Sequence, residues 1–180
     1  MTGVLGVDQS LRGTGLALHK DGVTSTALVR AQLGDGVHGI RDAVRYIVGR
    51  VVKFAPACDL YVLEAPIIPR HGSGLALERA WLFGMLFDQF CLRGNVATVH
   101  PSTRAVYATG NGKASKDEVL ASVRAAHPAL SVPDHNVADA LALMGMGCRW
   151  LGFPVDGEIS SKQAKAMRSA HWPQSGGQPT

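Results

Sequence analysis

The sequence predicts an α/β protein built on a mixed sheet, and three observations predict it. Short apolar stretches at residues 4–8, 14–19 and 23–32 are separated by Leu11-Arg12-Gly13 and Lys20-Asp21-Gly22, turn-forming segments that make consecutive antiparallel strands. A helical period follows, and then a compact apolar run at 59–64 closed by Pro66. A helix crossover before that run lets it return parallel to the first strand. The chain has 180 residues, 46% of them apolar and 18% charged, a composition that fits one folded domain with a sizeable core.

The remaining elements follow in order. From Val37 onward Ile40, Val44, Ile47, Val48 and Val51 recur at helical spacing, and the pattern stops at Pro56, which predicts the first amphipathic helix. Residues 67–74 read as a loop, 75–92 as a long helix rich in Leu, Phe, Trp and Met, and 95–100 as another strand. The wide apolar surface of that long helix is explained by core burial, and a partner subunit would also account for it. Gly110-Asn111-Gly112-Lys113 is a basic, flexible loop, and Ser115-Lys116-Asp117-Glu118 is a capping box that opens a helix running to about Ala126. Pro133-Asp134 opens the last long helix. Its core stripe, Val137, Leu141, Met144 and Cys148, leaves Asn136 and Asp139 together on an adjacent face. Beyond Gly157 a basic helix is expected over 160–170 and disorder over 174–180, so the division expected is a domain at 1–157 followed by a basic, partly disordered tail at 158–180. The sequence shows no internal repeat.

Eighteen Lys plus Arg against fourteen Asp plus Glu give a formal charge of +4 and a pI near 9.2, a bias that suits anionic partners such as nucleic acid. Cys58, Cys91 and Cys148 are odd in number and widely spaced, which argues against a disulfide framework or a zinc ribbon and for a reducing compartment. The amino-terminal residues lack the basic and apolar regions of a secretion signal, and no run approaches the roughly 20 apolar residues of a membrane span. The expectation is a soluble, cytoplasmic protein.

Three acidic residues stand beside apolar runs: Asp8 after Val4-Leu5-Gly6-Val7, Glu64 after Leu60-Tyr61-Val62-Leu63, and Asp139 within Asn136-Val137-Ala138-Asp139-Ala140-Leu141. If the first and fourth strands are parallel neighbours, roughly 4.8 Å apart, Asp8 and Glu64 present their carboxylates side by side at one sheet end. Like charges held together need a cation. With Asp139 added from the first turns of a helix, the set offers hard oxygen ligands suited to Mg²⁺ or Mn²⁺. Two such ions roughly 3.5–4 Å apart would activate a water on one side of a phosphodiester and stabilise the leaving oxygen on the other. Singly, Asp8 could cap a turn, Glu64 could pair with a basic residue and Asp139 could be solvated; the joint placement is the signal.

Gly6-Val7-Asp8-Gln9-Ser10-Leu11-Arg12-Gly13-Thr14-Gly15 closely resembles the opening of the RuvC-type Holliday junction resolvases. The resemblance continues through Val62-Leu63-Glu64, Gly112-Lys113-Ala114-Ser115-Lys116 and Asn136-Val137-Ala138-Asp139-Ala140-Leu141-Ala142, spanning about residues 3–148. It implies an RNase H-like fold with a mixed five-stranded sheet and flanking helices, a homodimer, and Mg²⁺-dependent cleavage of branched DNA. Asp8, Glu64 and Asp139 would take the metal positions, Lys116 would sit near the scissile phosphate as a catalytic cation, and Arg104, Lys113 and Arg12 would join it in binding DNA. Asn136 stands where the family often has an acid or a His, and would be a neutral ligand, with Asp134 or His135 able to assist. Ile67 stands where bacterial members carry an aromatic, which implies recognition of branch geometry above base sequence. The short chain and the Pro-Arg-His loop after Glu64 look more like phage-encoded members, which implies a bacterial cytoplasm during infection.

Two rivals share parts of the pattern. The Gly-Val-Asp strand end and Thr-Gly hairpin also resemble the phosphate loop of actin-like ATPases and sugar kinases, but such a phosphotransferase needs a second nucleotide-binding half, for which 180 residues leave little room. No nucleotide cofactor is therefore expected. The other rival is a structure-specific DNA-binding protein without catalysis, for which Asn136 is the supporting feature.

Overall fold

The computed structural model describes residues 3–67 and 75–174. Its strands are β1 (Gly3–Asp8), β2 (Gly13–Lys20), β3 (Val23–Arg30), β4 (Leu60–Glu64) and β5 (Asn95–Val99). Its helices are α1 (Gly36–Phe54), α2 (Ala76–Cys91), α3 (Pro101–Thr109), α4 (Lys116–Ala126), α5 (His135–Trp150) and α6 (Ser161–Met167). The strands form one sheet in the order β3-β2-β1-β4-β5. The first three are antiparallel; β4 and β5 run parallel to β1, as helix crossovers require.

Side-chain alternation decides which residues meet which helices. Leu5, Val7, Tyr61 and Leu63 face one layer, where they pack with Val44, Ile47 and Val51 of α1 and with Leu82, Leu86 and Phe90 of α2. Val4, Leu60 and Val62 face the other layer, which α5 fills with Leu141, Met144 and Cys148. With a period of two, Asp8 shares the face of Val4 and Gly6, and Glu64 that of Leu60 and Val62. Both acids therefore project toward α5.

Two glycines set how closely α5 approaches. A Cβ at Gly6 would lie 2.2 Å from the carbonyl oxygen of Ala140, and one at Gly15 would lie 2.0 Å from that of Asn136. The helix backbone thus rests directly on β1 and β2, which brings Asp139 beside the end of β1. Residues 137–148 are all buried, a wider burial than the single expected stripe, because α3 and α4 cover the helix on the side away from the sheet.

Two regions differ from expectation. Helix α3 is not anticipated by apolar periodicity. It starts with Pro101 as its first helical residue, which needs no N–H partner there, and ends at Gly110, whose φ of 77° caps it in the left-handed region. The expected tail is packed over residues 159–172: α6 lies on α3, Trp172 stacks on Trp150 with ring centroids 5.4 Å apart, and His171 pairs with Thr98 at the edge of β5. Helix α6 is also shorter than the expected 160–170, because hydrogen bonds from Arg168 and Ser169 to Lys165 and Ala166 close it in a tight turn. Residues 175–180 and most of the expected loop at 67–74 lie outside the described residues. Among the described residues no helix is long and apolar enough to cross a membrane.

Candidate active site

The parallel register places Val7 opposite Leu63, so its continuation sets Asp8 next to Glu64 at the carboxyl ends of β1 and β4. The chain leaves β1 through a closed loop: Thr14 Oγ1 donates to the Ser10 carbonyl at 2.8 Å and accepts from the Ser10 N–H at 3.1 Å. This is the physical role of the Thr in the Asp-to-Thr-Gly segment, because it closes the turn that leads from β1 back into β2. Gln9 Nε2 donates to the Glu64 carbonyl, fastening the ends of β1 and β4 to each other. The sequence gives Gln9 no role beyond adjacency to Asp8, and its Oε1 is a buried acceptor with no partner among the described residues.

Asp139 enters from the second turn of α5, whose N-cap Asp134 accepts from the Val137 N–H at 3.1 Å and also lies 3.8 Å from Arg30. Asn136 lies in the first turn, next to β2: a Cβ at Gly13 would meet its Nδ2 at 3.2 Å. His135 turns toward α4, with its Nδ1 3.1 Å from the Lys116 carbonyl and its Nε2 3.5 Å from Asp117. Asp134 is thus held by contacts away from the three acids, whereas His135 is bonded toward α4 but lies near enough to Asp139 to favour its ionisation.

Arg104, on α3, reaches between the carboxylates. Its Nε donates to Glu64 Oε1 at 2.6 Å and its Nη1 donates to Asp139 Oδ1. Only about 11% of the Arg104 side chain is exposed, so the guanidinium is an interior cation and not a surface one. Such burial is tolerated because the partners satisfy it; stripping a buried ion of its partner costs about 3–5 kcal/mol. Among the described residues, no three His, Cys, Asp or Glu side chains converge closely enough to hold one ion as they stand.

The electrostatics follow from this crowding. Burial, then the neighbouring Glu64 and Asp139 carboxylates, hold Asp8 well above the usual carboxylate range. Burial pushes Asp139 up to about 6, against the pull of Arg104. Burial works against the Arg104 charge, but Glu64 and Asp139 outweigh it and keep that guanidinium protonated more firmly than usual. Acids that resist ionisation beside one another are a site short of positive charge. The donor set, three carboxylates with a neutral amide nearby, fits hard divalent cations in kind.

Beside the acids lies a cavity of about 320 Å³ whose lining includes Ile67, His100, Arg104, Lys116 and Asp139. Lys116 is the first residue of α4 and exposed; it lowers the pKa of both Asp8 and Asp139, which places its charge within reach of the cluster. The capping box behind it is formed as expected, with Ser115 Oγ accepting from the Glu118 N–H at 3.2 Å and Glu118 accepting from the Ser115 N–H at 2.6 Å. Lys113 is exposed in the turn before α4, and Arg12 is exposed in the loop after β1. Ile67, 60% exposed, stands at the rim.

The sheet order, the crossovers and the central α5 define an RNase H-like fold of the RuvC type. Solved structures similar to this chain include Thermus thermophilus RuvC, at 21% identity over 85% of this chain and 98% of that one with a TM-score of 0.61. They also include T. thermophilus RuvC in complex with a Holliday junction substrate, at 18% identity over 86% of this chain and 98% of that one with a TM-score of 0.65. No protein-family model and no curated protein matches the sequence.

Proposed function

We propose that the protein is a metal-dependent endonuclease that cuts branched DNA, Holliday junctions first and forks and flaps as well. The observation that carries this reading is the convergence of Asp8, Glu64 and Asp139, from three elements far apart in sequence, at one end of the sheet beside the Lys116 cavity. Two buried acids and a half-buried third in one place are costly, and a phosphate-cleaving metal site gives a reason to keep them. The similarity in fold to a RuvC solved with a Holliday junction supports the choice of substrate.

In this reading Asp8, Glu64 and Asp139 hold Mg²⁺ or Mn²⁺, with Asn136 as a neutral fourth oxygen. Two bound ions would supply an activated water and stabilisation of the leaving oxygen. Lys116 faces the phosphate that enters the cavity and offsets the negative charge that grows there during cleavage. Arg12 and Lys113 contact the DNA backbone further out, and these contacts carry affinity without sequence information. Two cuts on a four-way junction call for two sites, so the protein acts as a homodimer, with α2 as the joining surface.

Asp8→Asn, Glu64→Gln and Asp139→Asn test the assignment. Each should reduce cleavage by about 10²–10³-fold or more, the scale of losing a preorganised transition-state contact, while junction binding in gel shift stays nearly intact. Full activity in any two would remove these residues from the metal site. A second reading, a junction-binding protein without catalysis, is favoured by the Arg104 guanidinium already neutralising two of the acids; it predicts binding without cleavage in the unmodified protein.

A further inference from the structure

We infer that Arg104 is a built-in counter-cation of this site, one that a divalent metal ion must displace before the site can load. The inference rests on the metal-site reading above and adds how that site is controlled. A guanidinium and a metal ion compete here because they use the same lone pairs: Arg104 takes Glu64 Oε1 through Nε and Asp139 Oδ1 through Nη1. These two carboxylates come from β4 and α5, and the planar fork of one arginine spans them. With the fork in place, Glu64 Oε1 and Asp139 Oδ1 are both occupied by N–H donors, and among the described residues no three acids close on one ion.

The position of the guanidinium is built in by its helix. The Arg104 N–H bonds the His100 carbonyl at 3.0 Å, directly after β5, whose Val99 pairs with Glu64. Thr103, the preceding residue, meets Ser169 Oγ at 3.3 Å, and the Tyr107 carbonyl accepts from Gln163 Nε2 at 2.6 Å, so the carboxyl-terminal segment braces α3 from outside. Release therefore needs only side-chain rotation. The cavity of about 320 Å³ that Arg104 lines gives its side chain room to turn away from the acids. The consequence is that metal-free protein is held together at this end by Arg104, and that part of the energy of metal binding goes into breaking those two bonds.

The test titrates Mn²⁺ calorimetrically into metal-free wild type, Arg104→Met, Arg104→Lys and Asp139→Asn near neutral pH, without DNA. Arg104→Met keeps length and loses charge, so Mn²⁺ should bind at least about 10-fold tighter. Arg104→Lys, which reaches one carboxylate but cannot fork, should fall between, and it serves if the Met variant does not fold. In the wild type the Nε–H resonance of Arg104, sheltered by Glu64, should shift or broaden as Mg²⁺ is added. Equal or weaker Mn²⁺ binding by both Arg104 variants, or an Arg104 resonance unmoved at saturating Mg²⁺, overturns the inference and leaves the metal site standing. If Asp139→Asn binds Mn²⁺ as wild type does, the metal-site reading fails and the inference falls with it.

Discussion

Asp8, Glu64 and Asp139 are three acids that the fold forces into one place, and their neighbours show what that costs. Burial, and after it the other two carboxylates, holds Asp8 back from ionising, and burial opposes the charge of Asp139 against the pull of Arg104. Asn136 is the neutral member at the first turn of α5, where the helix dipole favours negative charge. Asn136→Asp should therefore be tolerated and should lower the Mg²⁺ concentration for half-maximal cleavage. A titration of rate against Mg²⁺ checks it, and an unchanged or higher midpoint would place Asn136 outside the ion's reach. The identities of the three acids were legible in the sequence because each closes or interrupts an apolar run. The position of Arg104 was not: its place among basic residues pointed to a DNA contact, and only the packing of α3 turns it inward. Gln9, which fastens the ends of β1 and β4, had adjacency to Asp8 as its sole signal.

The elements that carry the site are braced by side chains that never touch it. Tyr107 of α3 donates to Asp156 Oδ2 at 2.5 Å, Arg149 of α5 donates to Tyr107 at 3.0 Å and to Asp156 Oδ1 at 2.7 Å, and α6 caps the arrangement through Gln163. Nearby His127, at the end of α4, is pushed down by burial against the pull of Asp156. Its folded pKa lies below its unfolded one, so the unfolded chain binds the extra proton as pH falls below about 6.5, and stability drops there. Thermal melts at pH 5 and 7 should show this loss, and His127→Gln should reduce it; an unchanged pH dependence would mean that His127 is not the group responsible. At this scale the strands, α1, α2, α4 and α5 were legible from periodicity and from the Ser115–Glu118 capping box. Helix α3 lacked an apolar stripe, although Pro101 at its start and Gly110 at its end were the available signal. The packing of 159–172 was hidden because Trp172 and His171 pair with residues far away in sequence, which local pattern does not report.

At the scale of the whole molecule, an apolar face stands exposed among the described residues. Leu77 of α2 is 84% exposed and forms, with Trp81 and with Val37 and Ile40 of α1, an apolar groove of about 360 Å³. A second copy related by a two-fold axis would cover this surface and present two sites to one junction. Light scattering at micromolar concentration should report a dimer, and Leu77→Glu with Trp81→Glu should give a monomer that nicks without paired cuts; a wild-type monomer that resolves junctions would exclude this arrangement. In the proposed function the basic residues would bind backbone, and Ile67 offers no aromatic face for a base, so branch shape should govern cleavage more than sequence. The most direct measurement is therefore the initial rate of cleavage of labelled four-way junctions with different central sequences, forks, flaps and linear duplex at one salt concentration. Each is assayed with Mg²⁺ or Mn²⁺ and again with chelator. Metal-dependent cuts in the branched forms, little affected by the central sequence and absent from linear duplex and from chelated samples, are the predicted result. No cleavage of any branched form, or cleavage that survives the chelator, would contradict the account.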